Sequence, residues 1–167
     1  MSNLLDSFYS NAWAIRGEKL RDIEAMLQRH DKGVSLPEEK IAEIVEAGDD
    51  SFQAVSGFDR AEGGLYHTKG RTAYVSLHGT VVNRAGFIAR ASGAVSPQTV
   101  DKRLRVAASD ESVERIVLDV DSPGGTVSGT IPLANTVAEI AEEKEVIAVA
   151  ENMIASAAYW IGSHASR

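Results

Sequence analysis

The sequence predicts an α/β fold in which parallel strands alternate with helices, preceded by a helical N-terminal arm. From residue 72 onward, short segments rich in β-branched and apolar residues alternate with longer segments whose apolar residues recur at helical spacing. The centres of the short segments are almost continuously apolar, which is typical of parallel strands buried on both faces. Binding and catalytic sites of such sheets lie at the carboxyl ends of the strands, so the turns after the strands are of most interest.

The composition describes one medium-sized globular domain and excludes several classes of function. The chain has 167 residues, of which 44% are hydrophobic and 25% charged, and its net charge is −7. An acidic chain without a block of lysine and arginine has no electrostatic surface for nucleic acid, so we predict no nucleic-acid partner. The absence of cysteine excludes disulfides and thiolate metal sites and fits a reducing compartment.

The sequence also argues against a membrane protein. No apolar run approaches the roughly 18 residues that span a bilayer. The first residues, M-S-N-L-L-D-S-F-Y-S, lack a basic segment ahead of an apolar core and do not form a signal peptide. We therefore expect a cytoplasmic chain with no membrane span.

The N-terminal part of the chain predicts two helices. Apolar side chains in residues 4–30 keep to one helical stripe, although Gly17 weakens its middle. Ser35 and Pro37 then provide an N-cap and an early proline for a second helix, which ends at Gly48. Neither helix carries a residue pattern that suggests chemistry, and an appendage or interaction arm is the simplest interpretation.

These observations divide the chain into three parts. Residues 1–48 form the predicted helical arm, and residues 49–70, rich in glycine and aspartate, form a predicted linker. Residues 71–167 form the α/β domain, in the order β-α-β-α-β-α. Its predicted strands cover 72–82, 114–121 and 146–150, and its predicted helices cover 96–108, 127–144 and the residues from 155 onward.

The turn Asp119-Val-Asp-Ser-Pro-Gly-Gly125 is the first stretch that could carry chemistry. It follows a predicted strand directly, and the adjacent Gly124 and Gly125 let the backbone turn sharply and approach a ligand closely. Backbone N–H groups exposed by such a turn can stabilise a developing oxyanion. Taken alone, the stretch is more often a simple tight turn between a strand and a helix.

Ser156 is the second candidate. It lies where a predicted strand runs into a helix, in I-A-S-A-A, and its small neighbours suit a crowded elbow. The start of a helix favours an alkoxide, and the N–H of Ala157 points toward the same space. Taken alone, Ser156 is more simply explained as the N-cap of an alanine-rich helix.

The two stretches together carry a resemblance that neither carries alone. Ser156 follows Gly125 by 31 residues, about one helix-and-strand crossover. The turn D-S-P-G-G, followed at this distance by N-M-I-A-S-A-A-Y-W, resembles the serine peptidases related to signal peptide peptidase A. It is most similar to their phage and prophage branch, the head maturation proteases often called minor capsid protein C. The resemblance covers roughly residues 72–167, and the arrangement is more distantly similar to the Clp protease and crotonase superfamily.

The resemblance implies a Clp protease/crotonase-like parallel sheet and a role for each matching residue. Ser156 matches the nucleophile, the N–H of Ala157 matches one oxyanion donor, and Gly125, with Gly124 beside it, matches the turn that supplies the other. A lysine is the general base in this family, so a Ser/Lys acyl-enzyme mechanism is implied. The resemblance also implies no cofactor and no metal, a homo-oligomer, and protein or peptide substrates such as phage scaffold or capsid proteins. The corresponding location is a phage prohead or the cytoplasm of a bacterial host.

The chain departs from this family in its lysines. The short members carry the basic lysine several dozen residues after the serine, whereas this sequence ends 11 residues after Ser156. We therefore expect an N-terminal fragment of a longer protease, with the nucleophile and oxyanion turn but without the base. The lysines of the chain all precede the serine: Lys19, Lys32, Lys40, Lys69, Lys102 and Lys144.

The remaining polar residues predict structural roles. We expect His78 to pair or pack rather than to line the cleft, His164 to lie at the surface, and Asp119 and Asp121 to cap the following turn. No cluster of histidine and carboxylate residues occurs at metal-ligand spacing. Two other functions stay open: a crotonase-like acyl-CoA enzyme, which also uses paired backbone N–H groups, and a non-catalytic assembly module.

Overall fold

The computed structural model describes residues 10, 12–15, 17, 20–21, 23–25, 28, 58–61, 64–83 and 93–167. Nine strands are defined among them: β1 (Trp13–Ile15), β2 (Asp59–Arg60), β3 (His67–Lys69), β4 (Thr72–His78), β5 (Thr80–Val81), β6 (Ala94–Val95), β7 (Arg115–Ser122), β8 (Gly124–Thr126) and β9 (Glu145–Ile154). Three helices follow the predicted order: α1 (Pro97–Ser109), α2 (Thr130–Glu143) and α3 (Ala157–Gly162).

The larger sheet confirms the α/β class. It has five strands in the order β2-β3-β4-β7-β9. The three strands predicted from the sequence are β4, β7 and β9, and they pair in parallel, β4 with β7 and β7 with β9. Strands β2 and β3 extend the sheet in antiparallel fashion beyond β4. They fall within residues 49–70, the segment predicted as a linker.

The core lies between one face of this sheet and the three helices. Alternate residues of β4 and β7 are buried, and the residues between them remain partly exposed. The sequence predicted a sheet covered on both faces, but in the described part of the chain only one face is fully buried. The largest buried side chains of this core include Leu77, Leu104, Ile116, Leu118, Leu133 and Ile161.

A second, smaller sheet was not predicted. Its order is β1-β8-β5-β6, and β8 lies between β1, which is antiparallel to it, and β5, which is parallel. The predicted strand over 72–82 is divided into β4 and β5 at Gly79, whose φ is +87°. A Cβ at Gly79 would lie 1.8 Å from the carbonyl oxygen of Gly93, so this close approach requires glycine.

The prediction of one continuous helix over residues 4–30 was wrong at Trp13–Ile15. These residues form β1, while described residues on either side, such as Ser10 and Gly17, are helical. The β-favouring side chains of Trp13 and Ile15 and the available edge of β8 outweigh the helical periodicity here. The second predicted helix, ending at Gly48, lies outside the described residues. Among those described, no helix is both long and apolar enough to cross a bilayer.

Candidate active site

The carboxyl ends of β7 and β9 are joined by the buried residue Ser122. Its hydroxyl donates to the carbonyl oxygen of Gly79 at 2.6 Å and accepts from the N–H of Gly124 at 3.2 Å. Its carbonyl oxygen accepts from the N–H of Ala155 at 3.1 Å. One fully buried residue therefore fixes the start of β5, the start of β8 and the residue before Ser156. The sequence placed Ser122 inside the turn motif but did not predict this role.

The turn after Ser122 requires a glycine at position 124. Gly124 has a φ of +97°, a conformation that residues with a Cβ rarely adopt. A Cβ at this position would lie 2.4 Å from the carbonyl oxygen of Ala14 and 2.9 Å from the Cβ of Ser156. The fold therefore brings Gly124 against Ser156, as the sequence spacing predicted.

Gly125 lies even closer to neighbouring backbone atoms than Gly124 does. It pairs with Val81 of β5, and a Cβ on Gly125 would lie 1.7 Å from the Val81 carbonyl oxygen. Such an approach is open only to glycine. Both glycines of the predicted turn are therefore required by backbone contacts.

Ser156 has a backbone conformation rare for a residue with a side chain. Its φ is 55° and its ψ is −118°, and among the described residues other than glycine it alone has a positive φ. Non-glycine residues held in such a conformation cost about 1–3 kcal/mol, and they cluster at functional sites. The hydroxyl makes no capping hydrogen bond to α3, so the simpler N-cap interpretation does not describe this serine. The side chain is exposed at a sharp strand-to-helix elbow, a geometry in which enzymes of the α/β-hydrolase fold present a nucleophile.

A bulge at the end of β9 sets the position of this elbow. Val120 of β7 pairs with Ala150 of β9, but the next pair is Ser122 with Ile154, so three residues of β9 oppose one of β7. The side-chain amide of Asn152, within the bulge, donates to Asp121 at 3.0 Å. Bulges of this kind redirect a strand and recur beside active sites.

The residues predicted to supply the oxyanion donors are Ala157, which directly follows Ser156, and Gly125, which directly follows Gly124. Ala157 is fully buried and is the first residue of α3, where an N–H has no acceptor within the helix. Gly125 lies next to Gly124 on β8, the strand that approaches Ser156. The structure thus brings together Ser156, Ala157, Gly124 and Gly125, although their roles stay predictions.

The predicted pairing of His78 is present, whereas the predicted turn caps are not. His78 Nε2 lies 2.8 Å from a carboxylate oxygen of Asp119. This hydrogen bond is the largest influence raising the pKa of His78, burial opposes it, and the charges of Asp119, Glu151 and Asp121 add to it. Asp119 and Asp121 bind His78 and Asn152 rather than capping the following turn. His164 bonds to the carbonyl oxygen of Trp160 at 2.8 Å near the surface.

Sequence spacing also missed one cluster of potential metal ligands. His78, Asp119 and Glu151 come from three neighbouring strands and offer ligand atoms that all lie within 4.8 Å of one another. Because the residues are far apart along the chain, no ligand-spacing pattern could reveal them. Glu151 is exposed, and the His78–Asp119 hydrogen bond already accounts for the other two side chains.

The described lysines include two with interactions far from the elbow. Lys144 donates to the carbonyl oxygen of Asp110 at 2.7 Å, and the Lys69 ammonium lies 5.4 Å from the ring centroid of Phe58. Lys69 pairs with the first residue of β4, and Lys144 directly precedes β9. Both therefore lie at the amino ends of the parallel strands, whereas Ser156 follows a carboxyl end.

This arrangement defines an α/β protein with a strained, exposed serine beside a glycine-rich strand at the carboxyl ends of its parallel strands. The chain is 34% identical over 137 residues to the capsid assembly protease C of Escherichia phage lambda, a match that covers 78% of this chain and 28% of that protein. No protein-family profile matches the chain.

Two further relatives extend the comparison. The head–tail preconnector protein GP5 of Enterobacteria phage P21 is 30% identical over 103 residues, with 62% of this chain and 21% of that protein covered. Protease 4 of Salmonella typhi is 29% identical over 119 residues, with 71% and 19% covered. These homologues confirm the resemblance to the signal peptide peptidase A family and to its phage branch. The chain spans between 19 and 28% of the length of these three relatives.

Proposed function

We propose that this chain carries the nucleophile and the oxyanion donors of a serine endopeptidase with a Clp protease/crotonase-like fold. The observation that carries the proposal is the positive φ of Ser156, held at an exposed elbow directly against Gly124. Strain of this kind persists only where the surrounding structure fixes it. The hydrogen bonds of Ser122 and the bulge of β9 supply that fixation.

The proposed chemistry is acyl transfer. The Ser156 hydroxyl oxygen bonds to the carbonyl carbon of a peptide while its proton passes to a general base. The N–H groups of Ala157 and Gly125 donate to the oxyanion of the tetrahedral intermediate. The C–N bond then breaks, the amine leaves with the proton from the base, and water hydrolyses the ester to release Ser156.

We assign the general base to a lysine outside the described residues. Lys69 and Lys144 interact at the opposite ends of the strands, Lys102 is exposed on α1, and this chain spans only 28% of the lambda relative. A lysine next to the elbow would be desolvated there, which lowers its pKa and allows it to accept the serine proton. On this proposal the 167 residues contain the nucleophilic part of a longer protease.

The proposed substrates are proteins of phage capsid assembly. Two of the relatives are named a capsid assembly protease and a head–tail preconnector protein. Scaffold or capsid proteins would thus be cleaved by a homo-oligomer within a prohead in the bacterial cytoplasm. No cofactor and no nucleic acid take part in this proposal.

A non-catalytic assembly role is the second candidate. It is favoured by the P21 relative, whose name denotes a structural position between head and tail rather than a protease. The strained geometry of Ser156 favours catalysis, because an assembly module gains nothing from holding one serine in a conformation that costs about 1–3 kcal/mol.

Labelling with a fluorophosphonate tests the proposal. The parent chain should label slowly at Ser156, and n-butylamine, which can act as a base in place of the proposed lysine, should raise the labelling rate roughly tenfold or more. Ser156→Ala should abolish labelling, whereas Ser163→Ala, an exposed serine at the other end of α3, should not change it. An amine-dependent signal that persists in Ser156→Ala would overturn the assignment of the nucleophile.

Two further outcomes separate the alternatives. Rapid labelling of Ser156 without added amine, retained when Lys69, Lys102 and Lys144 are each replaced by Met, would agree with a base outside the described residues, whereas its loss in one of these variants would contradict that assignment. Saturable binding of an acyl-CoA thioester, without any labelling of Ser156, would support the crotonase-like enzyme instead.

A further inference from the structure

We propose that residues 12–15 of this chain occupy the edge of β8 to which a substrate peptide binds, so that the chain must release its own strand before a substrate can pair there. The inference rests on the proposed function, which assigns the Gly125 N–H on β8 to the oxyanion and so places the peptide bond that is cleaved against this strand. Its basis is the position of β1, which sequence periodicity assigned to a helix and which the structure places as a strand beside the candidate nucleophile.

The first step is the pairing of β1 with β8. The two strands are antiparallel, with Trp13 opposite Thr126, Ala14 opposite Gly125, and Ile15 opposite Gly124. The N–H of Val127 donates to the carbonyl oxygen of Ala12 at 3.0 Å. Hydrogen-bonded pairs alternate along an antiparallel ladder, so the next such pair is Ala14 with Gly125, which exchange both backbone bonds.

On this alternation, we expect the Gly125 N–H, which the proposed mechanism assigns to the oxyanion, to donate to the carbonyl oxygen of Ala14. A peptide bond that is about to be cleaved must present its carbonyl oxygen to the same donor. The Ala14 carbonyl therefore stands in for a substrate carbonyl.

The third step is the distance to the serine. The Ala14 carbonyl oxygen and the Ser156 Cβ lie 2.4 Å and 2.9 Å from the same point, the position of a Cβ on Gly124. The backbone of β1 thus approaches the elbow at the glycine that the turn requires. A substrate strand in this place would meet Ser156 in the same way.

The size and exposure of β1 indicate a strand that can leave the edge of β8 rather than a permanent strand of the sheet. β1 has only three residues, all of them partly exposed, and none belongs to the buried core. By contrast, all three residues of β8 are buried. A short, partly exposed strand at the edge of a sheet opens at low free-energy cost, and its departure leaves β8 as an edge that another strand can join.

The consequence is competition between the two strands. A tethered strand faces its binding edge at a high effective concentration. The apparent Kd of an added peptide is therefore its intrinsic Kd divided by the fraction of time during which β1 leaves the edge open. Loosening β1 should tighten peptide binding, and strengthening it should do the reverse.

The experiment measures peptide binding in a Ser156→Ala background, where no reaction can take place. The probe is a fluorescein-labelled peptide copying residues 10–17, S-N-A-W-A-I-R-G, and the readout is fluorescence anisotropy. Ala14→Pro in the full chain removes the N–H that donates to Gly125. The loss of one ladder hydrogen bond should tighten peptide binding about tenfold.

A matched proline provides the control. The Ile15 N–H points away from β8 in the alternating ladder, so Ile15→Pro should change the peptide Kd much less than Ala14→Pro. The same proline change in the peptide, at the residue that copies Ala14, should abolish binding to every variant.

A second readout, the fluorescence of Trp13, needs no substitution in β1. The chain has two tryptophans, so a Trp160→Phe variant leaves Trp13 as the reporter of β1. An excess of the unlabelled peptide carrying the Trp13→Phe change should shift Trp13 emission to the red, because displacement of β1 exposes this partly buried side chain.

The opposite results would overturn the inference. If β1 is a permanent strand, Ala14→Pro should lower the urea midpoint of unfolding without tightening peptide binding, and the peptide should leave Trp13 emission unchanged. The outcome is separable from that of the proposed function, since these measurements report binding and the fluorophosphonate reports reaction. If Ser156 does not react with the fluorophosphonate but the peptide displaces β1, only the proposed peptidase function is refuted. If Ser156 reacts but the peptide does not displace β1, only the proposal that β1 occupies the substrate edge is refuted.

Discussion

At the scale of single residues, Ser156 combines a chemical group with a strained backbone. Replacing it separates the two contributions. Ser156→Gly should relieve the positive φ and raise the free energy of unfolding by about 1 kcal/mol relative to Ser156→Ala, which keeps the strain without the hydroxyl. Both variants should lose fluorophosphonate labelling. Urea denaturation of the two proteins checks the difference, and equal stabilities would show that the elbow is not strained.

Substitutions of Gly124 and Gly70 separate the cost of a positive φ from the cost of a close contact. Gly124→Ala places a Cβ against both Ala14 and Ser156, so it should destabilise the chain by about 2 kcal/mol or more and block the labelling of Ser156. Gly70→Ala is the matched control, because Gly70 also has a positive φ but nothing within 4 Å of an added Cβ.

The control should show the cost of the conformation alone. Gly70→Ala should destabilise the chain by only about 1 kcal/mol and leave the labelling of Ser156 intact. Equal losses of stability and labelling in the two variants would mean that the contact with Ser156 has no special role. Urea midpoints and labelling rates decide between these results.

The sequence predicted part of this residue-scale picture. The distance of one crossover between Gly125 and Ser156 predicted their proximity, because adjacent parallel strands bring their carboxyl ends to one edge of a sheet. The bonds of Ser122 to Gly79 and Ala155 depend on the fold of segments far apart in the chain. No local pattern could reveal them, and the same is true of the φ of Ser156.

At the scale of elements, strands β4 and β7 are linked by the bond between His78 and Asp119. This bond raises the pKa of His78 above its ordinary value of 6.5. A group whose pKa is higher in the folded state contributes stability that is complete below the unfolded value and is lost as the pH rises through the folded value. The contribution of His78 should therefore decline as the pH rises from about 6.5 toward alkaline values.

Two measurements check this prediction. The urea midpoint of the parent chain should fall over that pH range relative to His78→Gln, which cannot titrate, and proton NMR should give His78 a titration midpoint above 6.5. Asp119→Asn should bring that midpoint down. If the urea midpoints of the parent chain and of His78→Gln change in parallel with pH, the predicted contribution of His78 to stability is contradicted.

Elements with local signals were predicted well, and those that depend on distant partners were not. Pro97 and the apolar spacing after it predicted α1 nearly to its bounds. The helical stripe around Trp13 gave no warning of β1, because the edge that orders it lies more than a hundred residues later at Thr126. The same reason explains why β5, β6 and β8 were missed as a second sheet.

At the scale of the whole molecule, the described residues include large apolar side chains that are exposed at the surface. Val149 on β9 is 43% exposed, and Tyr159 and Trp160, just after Ser156, are 61% and 42% exposed. Exposed large apolar side chains, such as the adjacent Tyr159 and Trp160, can mark contacts between proteins. They are consistent with the proposed homo-oligomer.

Sedimentation velocity tests this expectation. We expect a species whose mass is a multiple of 17.9 kDa, and the substitutions Trp160→Glu and Val149→Glu should shift it toward the monomer if either surface lies in the contact. Ser109→Glu, on an exposed residue at the end of α1, is the control. A single 17.9 kDa species at all concentrations would contradict the expectation.

The position of β1 has a further consequence for the order in which the molecule is made. A ribosome delivers Trp13–Ile15 first, the glycine strand Gly124–Thr126 much later, and Ser156 last. Folding can begin during synthesis, before the whole chain has been made. If β1 pairs with β8 at that stage, the edge of β8 is filled before Ser156 leaves the exit tunnel, and the proposed nucleophile first emerges beside an edge that no neighbouring chain can join.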